Sequence, residues 1–243
     1  MKHKIRYILI CKTIPEYSKR DGTLYTCSIG ISDKFGLIRV YPLPPTGMEK
    51  YGIYEIEVEK NKRDTREESW RLSTYSRYEN WVGISNDVKH IGYSTEEYVG
   101  KYLNGCVSSS VSELNKNRMS IGVIKSDKSN AYWNVNDRYI NKLQIGLFQD
   151  VGVDVAEWTK FTKHSKEKEL RLKFQDLDGF HDLQYNEWHY YEGQRLYGAK
   201  TELLNPLNKK HRNLILLGNM LQYRKNWIGL GKFKNTLNTL KLF

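Results

Sequence analysis

The sequence predicts an α+β protein: a small antiparallel, β-barrel-like module at the N-terminus, followed by a mixed α/β C-terminal module. Three observations carry this. Four strand-like runs crowd into the first sixty residues, which suits a small, strongly bent sheet or barrel. Beyond residue 90, helix-start signals alternate with strand-like runs. A chain of 243 residues with 39% apolar content suffices for one large domain or two small ones.

Taken in order, residues 4–12 and 24–32 read as strands, rich in Ile, Tyr, Leu and Thr. Asp33-Lys34-Phe35-Gly36 is a turn, 37–41 is a third strand, and the Pro-rich run 42–47 breaks it. Residues 51–61 alternate over most of their length, Ile53, Ile56 and Val58 against Glu55, Glu57 and Glu59. The polar run 63–77 reads as a loop. Ser94 or Thr95 caps a helix whose early acids, Glu96 and Glu97, suit the dipole. A second helix is expected over 107–117, a strand over 120–125, and 141–148 is ambiguous. The charged run 159–169 is the best linker. After it, 170–174 is strand-like and 183–196 helical, with Leu183, Trp188 and Tyr191 on one face. Residues 214–217 and 227–230 close the chain as a hairpin. These elements divide the chain into a β-rich module (1–90), a helical and mixed connection (91–158) and a basic α+β module (159–243).

Charge is the first functional signal. The net charge is +11, and residues 205–243 hold eight Lys or Arg and no acid. Residues 160–173 add six bases against Glu167 and Glu169. Such a field attracts polyanions without specifying a fold. Aromatics are the second signal. Tyr75, Tyr78, Trp81, Tyr185, Tyr190, Tyr191 and Tyr223 sit in polar runs, and flat rings beside cations are what nucleic-acid bases stack on. Phosphate contacts are assigned to Arg39, Arg66, Arg71, Lys209, Lys210, Arg212, Arg224 and Lys225, because guanidinium forks match phosphate oxygens. Arg63 joins the first cluster, where Glu67 and Glu68 offer partial neutralisation.

No phosphate-binding glycine loop, serine elbow or metal helix is present. The segment 176–195 concentrates Asp176, Asp178, His181, Asp182, Glu187, His189, Glu192 and Arg195. Its spacing fits no metal loop. A polar loop ending in an amphipathic helix is the favoured reading, with catalysis and a non-catalytic recognition site as the alternatives. The catalytic alternative uses His181 and Glu187, with Arg195 stabilising phosphate charge. That alternative needs a helix over 183–195 with Trp188 buried, Glu187 and Arg195 together on its accessible side, and His181 close by. No cofactor is called for. Three cysteines (Cys11, Cys27, Cys106) at unrelated spacings and no run of about 18 apolar residues suggest a cytoplasmic protein without a membrane segment.

Several stretches resemble an uncharacterised family of small bacterial and phage-borne proteins. They are Lys12-Thr-Ile-Pro15, Tyr25-Thr-Cys-Ser-Ile-Gly30, Leu37-Ile-Arg-Val-Tyr-Pro42 and Asp64-Thr-Arg-Glu-Glu-Ser-Trp-Arg71. In the C-terminal half they are His181, Glu187-Trp188, Arg195, Leu217-Gly-Asn219 and Trp227-Ile-Gly-Leu230. Members often carry a Cys-x-x-Cys before the histidine. Asp176 and Asp178 occupy that region here, without the thiolates of a zinc-like role. The resemblance implies two linked modules and names no activity. The expected function is non-catalytic binding of RNA or DNA. A metal-dependent nuclease, and a phage or defence-related adaptor with a protein partner, are the alternatives.

Overall fold

The computed structural model describes residues 1–18, 23–44, 47–62, 64–74, 87–135 and 168–236. Among the described residues the structure is mostly β, 49% strand against 16% helix, so the β part of the α+β expectation dominates there. Five strands close into a barrel at the N-terminus: β1 (Lys2–Lys12), β3 (Thr23–Ser32), β4 (Gly36–Leu43), β6 (Ser69–Leu72) and β5 (Gly52–Lys60), which returns to β1. All neighbours are antiparallel except β4 and β6, which run parallel. A short β2 (Glu16–Ser18) pairs with β3, and β7 (Val88–Tyr93) extends the sheet beyond β5.

Alternation fills the barrel. Ile5, Tyr7 and Leu9 of β1, Ile38 and Val40 of β4, and Tyr54, Ile56 and Val58 of β5 share its interior with Trp70 and Leu72. The last two lie in β6, inside the stretch expected to be a loop. Four residues with charged flanks are too short for periodicity to register, yet they close the ring. Gly36 supplies the positive φ (69°) that turns β3 into β4.

The barrel's outer wall is apolar too. Ile10, Ile29 and Ile31 pack on Val99 and Leu103 of α1 (Glu96–Asn104) and on a second sheet. That sheet runs in the order β14 (Trp227–Phe233), β13 (Leu214–Asn219), β9 (Ile121–Lys125), β8 (Val107–Ser108). Its opposite face buries Ile124, Ile215 and Leu217 against a third layer. This layer comprises the sheet β10 (Ser129–Val135), β11 (Lys168–Asp176) and β12 (Gly179–Gln184), with α3 (Trp188–Tyr197) and a 3-10 turn, Thr201–Leu204. All six residues of β13 are therefore buried. A parallel bridge from Tyr185 to Gly229 joins the two sheets.

Thr95 caps α1, and β13 with β14 forms the expected antiparallel hairpin. The helix expected over 107–117 is instead β8 followed by α2 (Val111–Lys116), because Ser110 accepts from the Glu113 amide and starts a new helix there. The helix expected over 183–196 begins only at Trp188, since Leu183 and Gln184 complete β12. The expected linker 159–169 and the ambiguous 141–148 lie outside the described residues, apart from 168 and 169, which open β11. Sheets are shared across the expected 158/159 division, β9 with β13 and β10 with β11.

Candidate nucleic-acid interface

Arg39 projects from the outer wall of β4 into the joint between barrel and second sheet, and is 4% exposed. Its guanidinium donates to the Ser120 carbonyl (3.0 Å) and the Asn219 carbonyl (3.3 Å). Burial, first of all, lowers its pKa. Arg66 lies beside it, its Nε 2.8 Å from Asp64 Oδ1, and Nη1 donates to the same Asn219 carbonyl at 2.8 Å. Glu68 accepts from the Ser120 amide and hydroxyl, both at 3.0 Å. Arg39 and Arg66, expected to contact phosphate, thus engage Ser120, Asp64 and Asn219 at the joint between the barrel and the second sheet. Arg71 is half-buried and held by Glu59 (Nη2 to Oε1, 2.6 Å). Arg63 lies outside the described residues.

The joint positions an exposed tip. The Asn219 side-chain amide donates to the Met119 carbonyl (3.1 Å) and the Arg224 carbonyl (2.8 Å), tying the 117–120 turn to the β13–β14 turn. Arg224 Nη2 reaches Thr65 Oγ1 at 3.0 Å. Met119, Met220, Leu221 and Tyr223 all stay exposed there, Tyr223 to 58%. Arg118, Arg224 and Lys225 are exposed around them. Of the aromatics singled out from sequence, Tyr223 alone is both described and exposed. Tyr185 and Tyr191 are core residues and Tyr190 is half-buried. Tyr75, Tyr78 and Trp81 lie outside the described residues.

Lys209 and Lys210 are exposed at the other end of β13, roughly 20 Å away at about 3.3 Å per residue. Arg212, near them, pairs with Glu96 (2.5 Å) and donates to the Lys232 carbonyl (3.0 Å). Among the described residues, these exposed cations of the basic C-terminal stretch therefore fall at two foci, not one.

His181 and Glu187, two of the three residues of the catalytic alternative, engage different partners. His181 stacks on Phe174 (centroids 4.8 Å) and faces Asp176 Oδ1 at 2.9 Å. Asp176 accepts from the Val111 amide (2.9 Å) and Asp178 from the Ser112 amide (2.8 Å), so both acids serve the start of α2. The Ser112 amide is the main cause of a lowered Asp178 pKa. Ligand atoms of Asp176, Asp178 and His181 lie within 4.8 Å of one another, close enough for a cation, but these acceptors are already engaged. Glu187 lies beyond the end of β12, and it is buried (2% exposed) rather than accessible. It pairs with Lys50 and accepts from the Tyr185 hydroxyl at 2.6 Å. Arg195 falls within α3, and its side chain lies outside the described part.

Lys50 is the residue that sequence reasoning missed. It stands 137 positions from Glu187, and no local spacing signals the pair. Burial pulls the ammonium's pKa down, but the Glu187 carboxylate more than offsets this and holds Lys50 above its ordinary range. Tyr51, beside it, has a positive φ of 67°, costly for a bulky side chain. Burial followed by Glu187 pushes up the Tyr185, Tyr190 and Cys11 pKa values.

Residues 3–92 match the family model described as Domain of unknown function (DUF8758). That match to the N-terminal module is consistent with the uncharacterised family that the resemblance implied, and it names no activity. No curated protein matches the sequence. Among the described residues, no helix is long and apolar enough to cross a membrane.

Proposed function

We propose that the protein binds RNA or DNA without catalysing a reaction, and that bases stack at the β13–β14 tip. The observation that carries this reading is Tyr223, exposed among Met119, Met220 and Leu221 and ringed by Arg118, Arg224 and Lys225. An aromatic platform edged with cations suits a single strand, whose bases stack and whose phosphates pair with the rim. The barrel adds support by analogy only. Five-stranded Greek-key barrels of the OB type bind oligonucleotides on the face of their second and third strands. Here the outer wall of β3 packs on the second sheet and Arg39 of β4 is buried, so a ligand has to be met elsewhere, and the tip lies beside the barrel's 61–68 connection through Thr65.

Fluorescence anisotropy with labelled twelve-residue single-stranded RNA and DNA across a salt series tests the reading. Affinity is expected to fall steeply with salt. Tyr223→Ala should weaken binding by about 1–3 kcal/mol, and Lys225→Ala should lower the salt slope by about one for all sequences alike. A flat salt response, or wild-type affinity in Tyr223→Ala, overturns it. Metal-dependent cleavage of the probes would favour a nuclease instead.

A further inference from the structure

Lys232 is the least expected side chain in the second sheet. In register it stands opposite Ile215, whose side chain belongs to the core under α3 and the 3-10 turn, so it enters the same layer. The residue is 1% exposed. Among the described residues its ammonium has no hydrogen bond and no ion pair. Another cation bears on it: Arg212 donates to the Lys232 carbonyl, and its own positive charge works against a second one there. Glu96 is already paired with Arg212. Lys209 and Lys210 stand on the same loop, which the Asn235 amide ties to the end of β14 through the His211 carbonyl (2.9 Å).

A buried ammonium without a counter-ion is costly. Burial, then Arg212, lowers its pKa to about 8, so at neutral pH it still carries most of its charge. Among the described residues the acids nearby are already committed, Glu96 to Arg212 and Glu187 to Lys50, so an external anion is the ligand that lowers the cost. A tetrahedral dianion offers several acceptor oxygens at once, and a fork and an ammonium suit it. Depth selects further. An internal phosphodiester has chain on both sides and is held at the surface, whereas a terminal phosphate can lead into a recess.

We propose that Lys232 and Arg212, with Lys209 and Lys210 at the rim, form a seat for the terminal phosphate of a nucleic-acid strand. The assignment to a strand end rests on the nucleic-acid reading above; the anion seat itself does not. Roughly 20 Å separates this seat from the Tyr223 tip, which about six stacked nucleotides span at about 3.4 Å each.

Two measurements test it. The first is titration calorimetry with sulfate, a dianion with no proton of its own to lose, at pH 8 in two buffers of different ionisation enthalpy. Anion binding favours the charged lysine, so wild type should take up as much as about half a proton. Lys232→Met should abolish the uptake and weaken sulfate about ten- to a hundredfold. The second is anisotropy with one oligonucleotide bearing a 5′-phosphate, a 3′-phosphate or two hydroxyl ends. One phosphorylated form should bind about ten- to a hundredfold more tightly, and Lys232→Met should bind all three alike. Sulfate uptake without any oligonucleotide binding would sink the tip and leave the seat standing. Oligonucleotide binding with no end preference overturns the strand-end assignment, and absence of proton uptake in wild type overturns the seat even if Lys232→Met does not fold.

Discussion

Glu187→Gln is the most informative single change, because Gln keeps the shape and an acceptor for Tyr185 while removing the charge that holds Lys50. Breaking a buried ion pair by deleting one partner costs about 3–5 kcal/mol. Glu187 is 2% exposed but the Lys50 side chain keeps 21% of its surface, so the lower end, about 3 kcal/mol, applies. For a chain of this size that is a fall of roughly 6–12 °C in Tm. Lys50→Met should cost a similar amount by leaving the carboxylate with only the Tyr185 hydroxyl. The double variant removes both charges and should cost at least about 2 kcal/mol less than the two single losses added. pH supplies a second signature. Lys50 is raised above its ordinary value, so its contribution is complete below about 10.5 and lost as pH climbs through the raised folded value. The deficit of Glu187→Gln should therefore be largest near neutral pH and shrink at strongly alkaline pH. Urea unfolding followed by tryptophan fluorescence, at neutral and alkaline pH, reads all of this. Additive single losses, or a Glu187→Gln variant within about 0.5 kcal/mol of wild type, would refute the reasoning.

Arg39→Met should destabilise by about 2–4 kcal/mol, since the Ser120 carbonyl loses its donor and Asn219 keeps only Arg66. In the folded variant the oligonucleotide salt slope should be unchanged; a lower slope would return Arg39 to phosphate. Asp176→Ala should cost about 1–2 kcal/mol through the start of α2, and a chelator should leave the Tm of both proteins where it was. A chelator-dependent fall in wild type would show that Asp176, Asp178 and His181 hold a metal.

Legibility followed burial. The alternation of 51–61 gave β5 almost residue for residue because only one of its faces is apolar. Near-continuous apolar runs such as 7–11 in β1 and 214–217 in β13 still read as strands, but what they pack against was hidden, since both faces are buried by docking. Arg39 illustrates the cost. A guanidinium within a β-branched strand reads as a surface cation, and only the second sheet, more than eighty residues later, makes it a clasp. Asp176 and Asp178 sit just before a histidine in sequence, yet their partners are the amides of Val111 and Ser112, about 65 residues back. Glu187 and Arg212 were expected in separate roles, one catalytic and one on phosphate. Both influence the titration of Tyr51 and Tyr190 in one cluster with Lys50, an arrangement set by three layers meeting.

The acid-free stretch 205–243 acquires a physical rationale from the same layering. The β13 backbone runs between two apolar cores, so none of its positions tolerates a charge, and β14 admits one only at Lys232. Cations in this part of the chain are thereby driven to the two ends of the hairpin, Arg224 and Lys225 at one and Lys209, Lys210 and Arg212 at the other. Two positive foci joined by a neutral, rigid strand pair act differently from one diffuse patch. A short ion meets one focus at a time, whereas a flexible polyanion long enough to reach both gains the effective concentration of its second contact. Arg39, Arg66 and Glu68, committed to Ser120 and Asn219, tie the tip to the barrel, and under the proposed reading this helps to fix the spacing between foci that such a ligand would have to match.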